Sequence, residues 1–440
     1  MAAMSDEEFY DFEEKIFEEL EGKMTDAYTE SSIYGTVEKI AKTFNPSVSQ
    51  EMIKRIISDI SDFKPINDYL RDEQVEDIMV NGIDNIFINK GSEGEIKVKE
   101  RLETQKDLRR FVKKLSMYAT ANEAHKHIYD IHLPSGSRAN VVKSPRGSSV
   151  TIRNFKKHAY SVIDLVNFGE LNYNIAARLW LYSEGLKIRP ANMLIGGTPG
   201  SGKTTLLNAM FSFYRPEERI VVIEDTYELN TETQENCVRL ETNLELSLED
   251  LLKNVLRMRP DMIVIGEIRG AEAKDMISAM TIGKIVFSTI HASNTRDIVN
   301  RLEQAPMSIG SNAINLIDAL MVVSQVSMQK TYERRVTQIS EISGVETKVL
   351  LSDLYLYDYK TKKGSPILPS ITYRDTLARL TGYTPNEILG EENRRAKILE
   401  ALNKLGIRDL RGINEFCKDY YDDPANALQK IGLGGIGTLS

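Results

Sequence analysis

Gly197-Thr198-Pro199-Gly200-Ser201-Gly202-Lys203-Thr204 fits the pattern G-x-x-x-x-G-K-[ST]. The demands of a phosphate chain explain the residue types. Glycines at 197, 200 and 202 let the backbone pass close to a phosphate and aim its N–H groups inward. Lys203 has the reach and charge for β- and γ-phosphate oxygens, and the Thr204 hydroxyl can ligate Mg²⁺. Thr205 follows in the first helical turn. A Gly-rich turn can match the pattern by chance, so context decides. Asn192–Ile195 reads as a short buried strand entering the loop, and Thr204–Phe211 as a helix leaving it. That is the strand–loop–helix setting the motif requires, and it points to nucleotide binding.

Short apolar runs rich in β-branched residues surround the loop: Met193–Ile195, Ile220–Ile223, Met262–Ile265, Ile285–Thr289 and Leu320–Val326. They suit a parallel sheet covered on both faces, in an α/β domain from about 170 to 347. Between them Ser247, with Asp250 three residues on, opens a helix whose apolar face is Leu248, Leu251, Leu252, Val255 and Leu256. Pro260 is its expected end. Upstream, residues 65–165 alternate strand-like runs with a helix near Gln105–Ala119, an α+β domain. Residues 1–64 form an acidic helical segment. Asp6–Leu20 carries eight acidic residues and one Lys, with Phe9, Phe12, Ile16, Phe17 and Leu20 at helical spacing. It reads either as a helix packed on the domain or as a docking arm for a basic partner. Residues 348–440 read as a mainly helical extension, with Glu392–Leu405 a helix stopped by Gly406.

The chain has 440 residues, room for two or three domains. No apolar run approaches the roughly 18 residues that cross a bilayer. The start, Met-Ala-Ala-Met-Ser-Asp-Glu-Glu, is the opposite of a basic signal peptide, so a cytoplasmic location is expected. The net charge of −8 argues against bulk nucleic-acid binding. Cys237 and Cys417 form no C-x-x-C pair and no zinc pattern, so a reduced compartment is expected, and His125 and His127, without partner ligands, read as structural.

Three further stretches follow the loop. Ile223-Glu224-Asp225-Thr226-Tyr227-Glu228 places acids at a strand end, where ligands bind in parallel sheets. Glu224 and Asp225 are candidates for holding Mg²⁺ or orienting water. In Gly266-Glu267-Ile268-Arg269-Gly270 an apolar strand ends in one carboxylate, Glu267, suited to activating the attacking water. His291, after the strand Ile285–Thr289, is placed to sense a γ-phosphate. Arg138, Arg153, Arg257, Arg259 and Arg269 are candidates to neutralise transferred charge, in cis or across a subunit boundary.

These stretches together resemble the secretion-superfamily ATPases that power type II and type IV secretion, type IV and Tad pili, and the archaellum. The resemblance spans about residues 65 to 347 and rests on four boxes in family order: 197–204, 223–228, 266–270 and 288–295. Glu76–Gly82, Ser135–Asn140 and Val150–Phe155 look like the N-terminal domain of the Tad-pilus, archaeal-pilus and conjugation branch. Arg138 and Arg153 match arginines that reach the nucleotide in that branch. Asp419–Pro424 resembles archaeal members. Two features depart from the wider family. Gly266 stands where related ATPases mostly carry Asp, which leaves Mg²⁺ to Thr204 and the Glu224–Asp225 segment. Gly283-Lys284 replaces a Gly-His pair.

The resemblance implies a RecA-like ATPase domain, ATP and Mg²⁺ as ligands, and a homohexamer at the inner face of the cell membrane. Its implied partners are a polytopic membrane platform protein and, indirectly, pilin-like subunits, with no nucleic acid. On the residues themselves, Glu267 is expected as the water-activating base with Glu224 as runner-up, and His291 and Arg269 as couplers of the γ-phosphate to neighbouring segments. A conjugation-type secretion ATPase shares the same boxes and stays open. A nucleic-acid translocase and a non-hydrolysing scaffold fit them less well.

Overall fold

The computed structural model describes residues 5–24, 30–91, 93–144, 147–154, 159–215, 217–243, 246–328, 331–435 and 437. The chain divides into two compact units, 1–157 and 158–440.

In the first unit Ser5 and Glu8 form a reciprocal capping box that starts the helix Asp6–Leu20. Its apolar residues recur every three or four positions, so Phe9, Phe12, Ile16, Phe17 and Leu20 all enter one core. Its acids are held within the same unit: Arg110, on the helix Gln105–Ser116, donates to Glu13, Glu14 and Asp59 at 2.5–2.6 Å. The helix is therefore packed on its own domain by both faces. Beneath it six antiparallel strands, β1 (Asp77–Asn81), β2 (Ile86–Asn89), β3 (Glu95–Lys97), β4 (Ile128–His132), β5 (Arg138–Ser144) and β6 (Gly147–Arg153), run in the order β3-β2-β1-β6-β5-β4. Alternation along β4, β5 and β6 turns Tyr129, Ile131, Ala139, Val141, Val150 and Ile152 into the core. Phe155, expected at the end of β6, lies outside the described residues.

The second unit is built on nine strands: β7 (Met193–Gly197), β8 (Ile220–Glu224), β9 (Cys237–Glu241), β10 (Met262–Ile268), β11 (Ile285–His291), β12 (Ala319–Met328), β13 (Thr331–Val345), β14 (Val349–Asp358) and β15 (Lys363–Gly364). Their order is β15-β14-β13-β12-β7-β11-β10-β8-β9. The strands from β12 to β9 pair in parallel, and β13, β14 and β15 add antiparallel. All five strands expected from apolar runs are present. β9 was not expected, because Cys-Val-Arg-Leu-Glu is half-buried and mixed in polarity. Ser247 caps the helix Leu248–Val255 with Asp250, yet the helix stops before Pro260, which instead leads into β10.

The expected start of the tail at 348 falls in the turn between the paired strands β13 and β14. Beyond β15 the chain is helical, and it does not stand apart. Ile398, Leu399, Leu402, Phe416, Tyr420 and Tyr421 share a core with β7 and β12. Buried ion pairs fix the helix Pro385–Lys404 to the helix Tyr173–Glu184. Arg178 donates to Glu392 at 2.8 Å, and Arg395 bridges Glu184 at 2.8 Å and Glu391 at 2.9 Å. Trp180 stacks on Phe213 at 5.4 Å, and its Nε1–H donates to the Tyr421 hydroxyl, which donates to the Phe213 carbonyl.

Tyr421→Phe leaves the Trp180 N–H and the Phe213 carbonyl buried without partners. We expect it to destabilise this unit by about 2 kcal/mol. Trp180 is the sole tryptophan, so urea unfolding followed by its fluorescence reads this unit directly. An unchanged midpoint would show that the hydroxyl carries no load.

Candidate nucleotide site

The site forms where four parallel strands end side by side. Gly197 of β7 lies opposite His291 of β11 in register, and β10 and β8 continue the row with Glu267 and Glu224. The pairing of β10 with β11 carries an extra residue between Ile265 and Ile268. This bulge re-aims the strand at Gly266 and Glu267, and the Thr289 hydroxyl fastens it by donating to the Gly266 carbonyl at 2.6 Å. Gly266 suits the crowding there, since a Cβ would lie 3.2 Å from Glu224 Cγ.

The loop fits a chain of phosphates. A Cβ on Gly197 would come within 2.3 Å of Ser201 Oγ and 2.5 Å of the Val323 carbonyl, so only glycine fits. Gly200 and Gly202 take φ of +74° and +102°. Gly202 is the N-cap of the helix Lys203–Ala209 and supplies no side-chain cap, so the first-turn N–H groups are left for an anion. Ser201 Oγ is buried with no hydrogen-bond partner among the described residues. Thr198 and Pro199 complete the turn, and Thr204 and Thr205 are half-buried in the first helical turn.

Five predicted residues converge here. Lys203 Nζ donates to the carbonyls of Gly197 at 3.0 Å and Thr198 at 3.2 Å, and lies 3.3 Å from His291 Nδ1. His291 Nδ1 also lies 3.4 Å from the Gly197 carbonyl, and Nε2 faces Glu267 Oε1 at 2.9 Å. That contact is at ion-pair distance without hydrogen-bond alignment, and Glu267 Oε1 is a buried acceptor not otherwise satisfied. Lys203 Nζ lies 4.0 Å from the same oxygen. The other oxygen, Oε2, accepts from Arg269 at 2.6 and 2.9 Å, and Arg269 also lies 3.6 Å from Asp225. Asp225 accepts from Thr242 as well.

Glu224 is placed differently. Its Oε1 accepts the backbone N–H groups of Glu228 and Leu229, each at 2.9 Å, and its Oε2 lies 3.3 Å from Arg239. The carboxyl group thus ties down the acidic loop from within. Arg138 and Arg153 stand in the first unit, directly paired across β5 and β6, with Arg138 3.2 Å from Asp130.

Three contacts had no motif to announce them. Gln325 and Arg334, from β12 and β13, both donate to the Gly200 carbonyl, at 3.1 and 3.0 Å. Arg239 backs Glu224 from the unexpected strand β9. Only the strand pairing brings these side chains to the loop.

Residues 59–346 match the family described as Type II/IV secretion system protein. The chain belongs to that family. An uncharacterised protein of Methanocaldococcus jannaschii is 30% identical over 430 residues, covering 92% of this chain and 76% of that one. The conjugal transfer protein TrbB of Rhizobium radiobacter is 34% identical over 158 residues, 35% of this chain and 49% of that protein. The structure of the pilus retraction motor PilT with bound ADP superposes with a TM-score of 0.50 at 14% identity, over 82% of this chain and 93% of that one. The fold is accordingly that of the RecA-like secretion ATPases. Among the described residues no helix is long and apolar enough to cross a membrane.

Burial pushes the Glu224 carboxyl up to about 7 from 4.5, against its two N–H bonds and Arg239. A carboxyl raised in the folded state stabilises the fold fully below its unfolded value and loses that contribution as pH rises through the folded one. Glu224→Gln should therefore flatten the fall in stability between pH 4.5 and 7, by about 3 kcal/mol. Denaturation midpoints across that range, wild type against variant, check this; parallel curves would contradict it.

Proposed function

We propose that this chain is a motor ATPase that hydrolyses ATP to drive assembly of a type IV pilus-like filament, or type II-like secretion, through a membrane platform protein. The observation that carries the reading is the arrangement at Glu267. One buried, poorly satisfied carboxylate oxygen sits between His291 and Lys203 at the mouth of a glycine loop shaped for phosphates.

In this reading Lys203 leaves the Gly197 and Thr198 carbonyls for the β- and γ-phosphates, which they resemble in partial charge. That departure frees Glu267 Oε1 from the nearby ammonium and leaves it to accept a proton from the attacking water. Arg269 holds the other oxygen and fixes the direction of the carboxylate. His291 stands between Lys203 and Glu267 and reports the presence of the γ-phosphate to both. Thr204 is the residue suited to hold Mg²⁺, with Asp225 as a second candidate; the ion would supply charge neutralisation to the phosphates. Glu224 organises the acidic loop and is not the base.

The assembly reading extends to a homohexamer acting at the inner face of the membrane, with Arg138 and Arg153 contributing to the nucleotide site and pilin-like subunits as the indirect load. A conjugation-type secretion ATPase is the second reading, favoured by the similarity to TrbB.

Lys203→Ala should lose nucleotide binding and turnover together. Glu267→Gln should bind ATP with near wild-type affinity and hydrolyse it about 10²–10⁴-fold more slowly. Calorimetric titration beside a phosphate-release assay separates the two, and equal loss of binding in both variants would remove Glu267 from the role of base. The Glu267→Gln protein with ATP, used to capture partners from native membranes, should retain a polytopic platform protein with pilin-like subunits. Recovery of a coupling protein, relaxase or DNA instead would assign the chain to conjugative secretion.

A further inference from the structure

One carboxyl group beside the phosphate loop has no part in the proposed reaction. Glu170 follows a tight turn at Gly169, whose φ is +74° and where a Cβ would come within 2.3 Å of Arg335 Nη1. Its backbone carbonyl accepts the Val336 N–H at 2.8 Å, so β13 pins the residue in place. The side chain is 5% exposed, and its Oε1 has no hydrogen-bond partner among the described residues. That oxygen lies 3.3 Å from the point where a Cβ would stand on Gly202, and Arg334 Cδ lies 3.2 Å from the same point. The charges facing Glu170 are Arg334 and Arg335 of β13, which lower its proton affinity, while burial outweighs them and raises the carboxyl to about 7. Arg335 is itself paired with Glu333, Arg334 donates to the Gly200 carbonyl, and the loop carries Lys203.

A buried carboxylate against a phosphate-binding turn works against the ligand. Solvent and salt screen it poorly, and it repels the phosphates that the loop N–H groups attract. A site tuned only for affinity would not keep it. A motor that must release spent nucleotide gains from it, because release often limits turnover.

We propose that Glu170 is a positioning residue of the phosphate site, a buried negative charge against Gly202 that weakens the hold of the loop on nucleoside di- and triphosphates and speeds release of the product. The proposal rests on the nucleotide-binding reading above.

Glu170→Gln keeps the shape and removes the charge. Titration with ADP at pH 8 should show binding tightened about fivefold or more, with a lower kcat and a lower KM for ATP. Wild-type affinity for ADP should rise as pH falls from 8.5 to 6.5 more steeply than that of Glu170→Gln. The difference between the two curves isolates Glu170 from the titration of ADP itself. Glu170→Asp, which keeps the charge, should behave like wild type. Equal or weaker binding by Glu170→Gln at unchanged melting temperature, with parallel pH curves, overturns the proposal. If Glu170→Gln does not fold, proton uptake by wild type on binding ADP at pH 7.5, measured in two buffers of different ionisation enthalpy, decides it, and no uptake overturns it. If neither protein binds ADP, the nucleotide reading fails, and the proposal fails with it.

Discussion

In-register parallel pairing is the constraint on which the rest of this structure depends. β7, β11, β10 and β8 all end at the same edge, so four short stretches far apart in sequence present their next residues to one place. Parallel strands require long crossovers, and those after β7, β9, β10 and β11 each carry a helix, while β8 reaches β9 without one. The chemistry is then a matter of which residue follows each strand: glycine and lysine after β7, histidine at the end of β11, glutamates at the ends of β10 and β8. The single bulge in β10 breaks the regular alternation. Without its extra residue Glu267 would follow the pleat and point elsewhere.

Around that edge the protein gathers charge, from the buried Lys203 and Glu224 to the exposed Arg269 and Asp225. Lys203, Glu267, Arg269 and Asp225 form a chain of contacts and Glu224 with Arg239 a separate pair, and each carboxylate faces a cation. Such a chain is costly to desolvate and is held by its geometry rather than by apolar contact. A polyanion beside Lys203 would compete with Glu267 for the ammonium at the head of that chain. The surrounding apolar core supplies the rigidity the site lacks. β7, β8, β10 and β11 are buried along nearly their whole length.

The site was more legible in the sequence than the architecture that carries it. Lys203, Glu267 and His291 stand in stretches where residue type and position after an apolar run are themselves the signal. The five buried strands were visible for the same reason. β9 and β14 were not, because half-exposed strands of mixed polarity look like loops when read locally. The acidic helix Asp6–Leu20 was legible as a helix, yet its partner was not, since nothing near it in sequence marks Arg110. Gln325, Arg334 and Glu170 were silent for a related reason: they reach the loop through strand register, and register is set by pairing across long distances.

The contact between the helices Tyr173–Glu184 and Pro385–Lys404 has a thermal consequence. It buries Arg178, Arg395, Glu184, Glu391 and Glu392 in a lattice of ion pairs as well as apolar side chains. The penalty for stripping water from ions shrinks on heating, whereas the stabilisation gained per unit of apolar area levels off. This seam therefore strengthens, relative to the rest of the core, as temperature rises. The C-terminal helices are thus fastened by the kind of bond that loses least on heating.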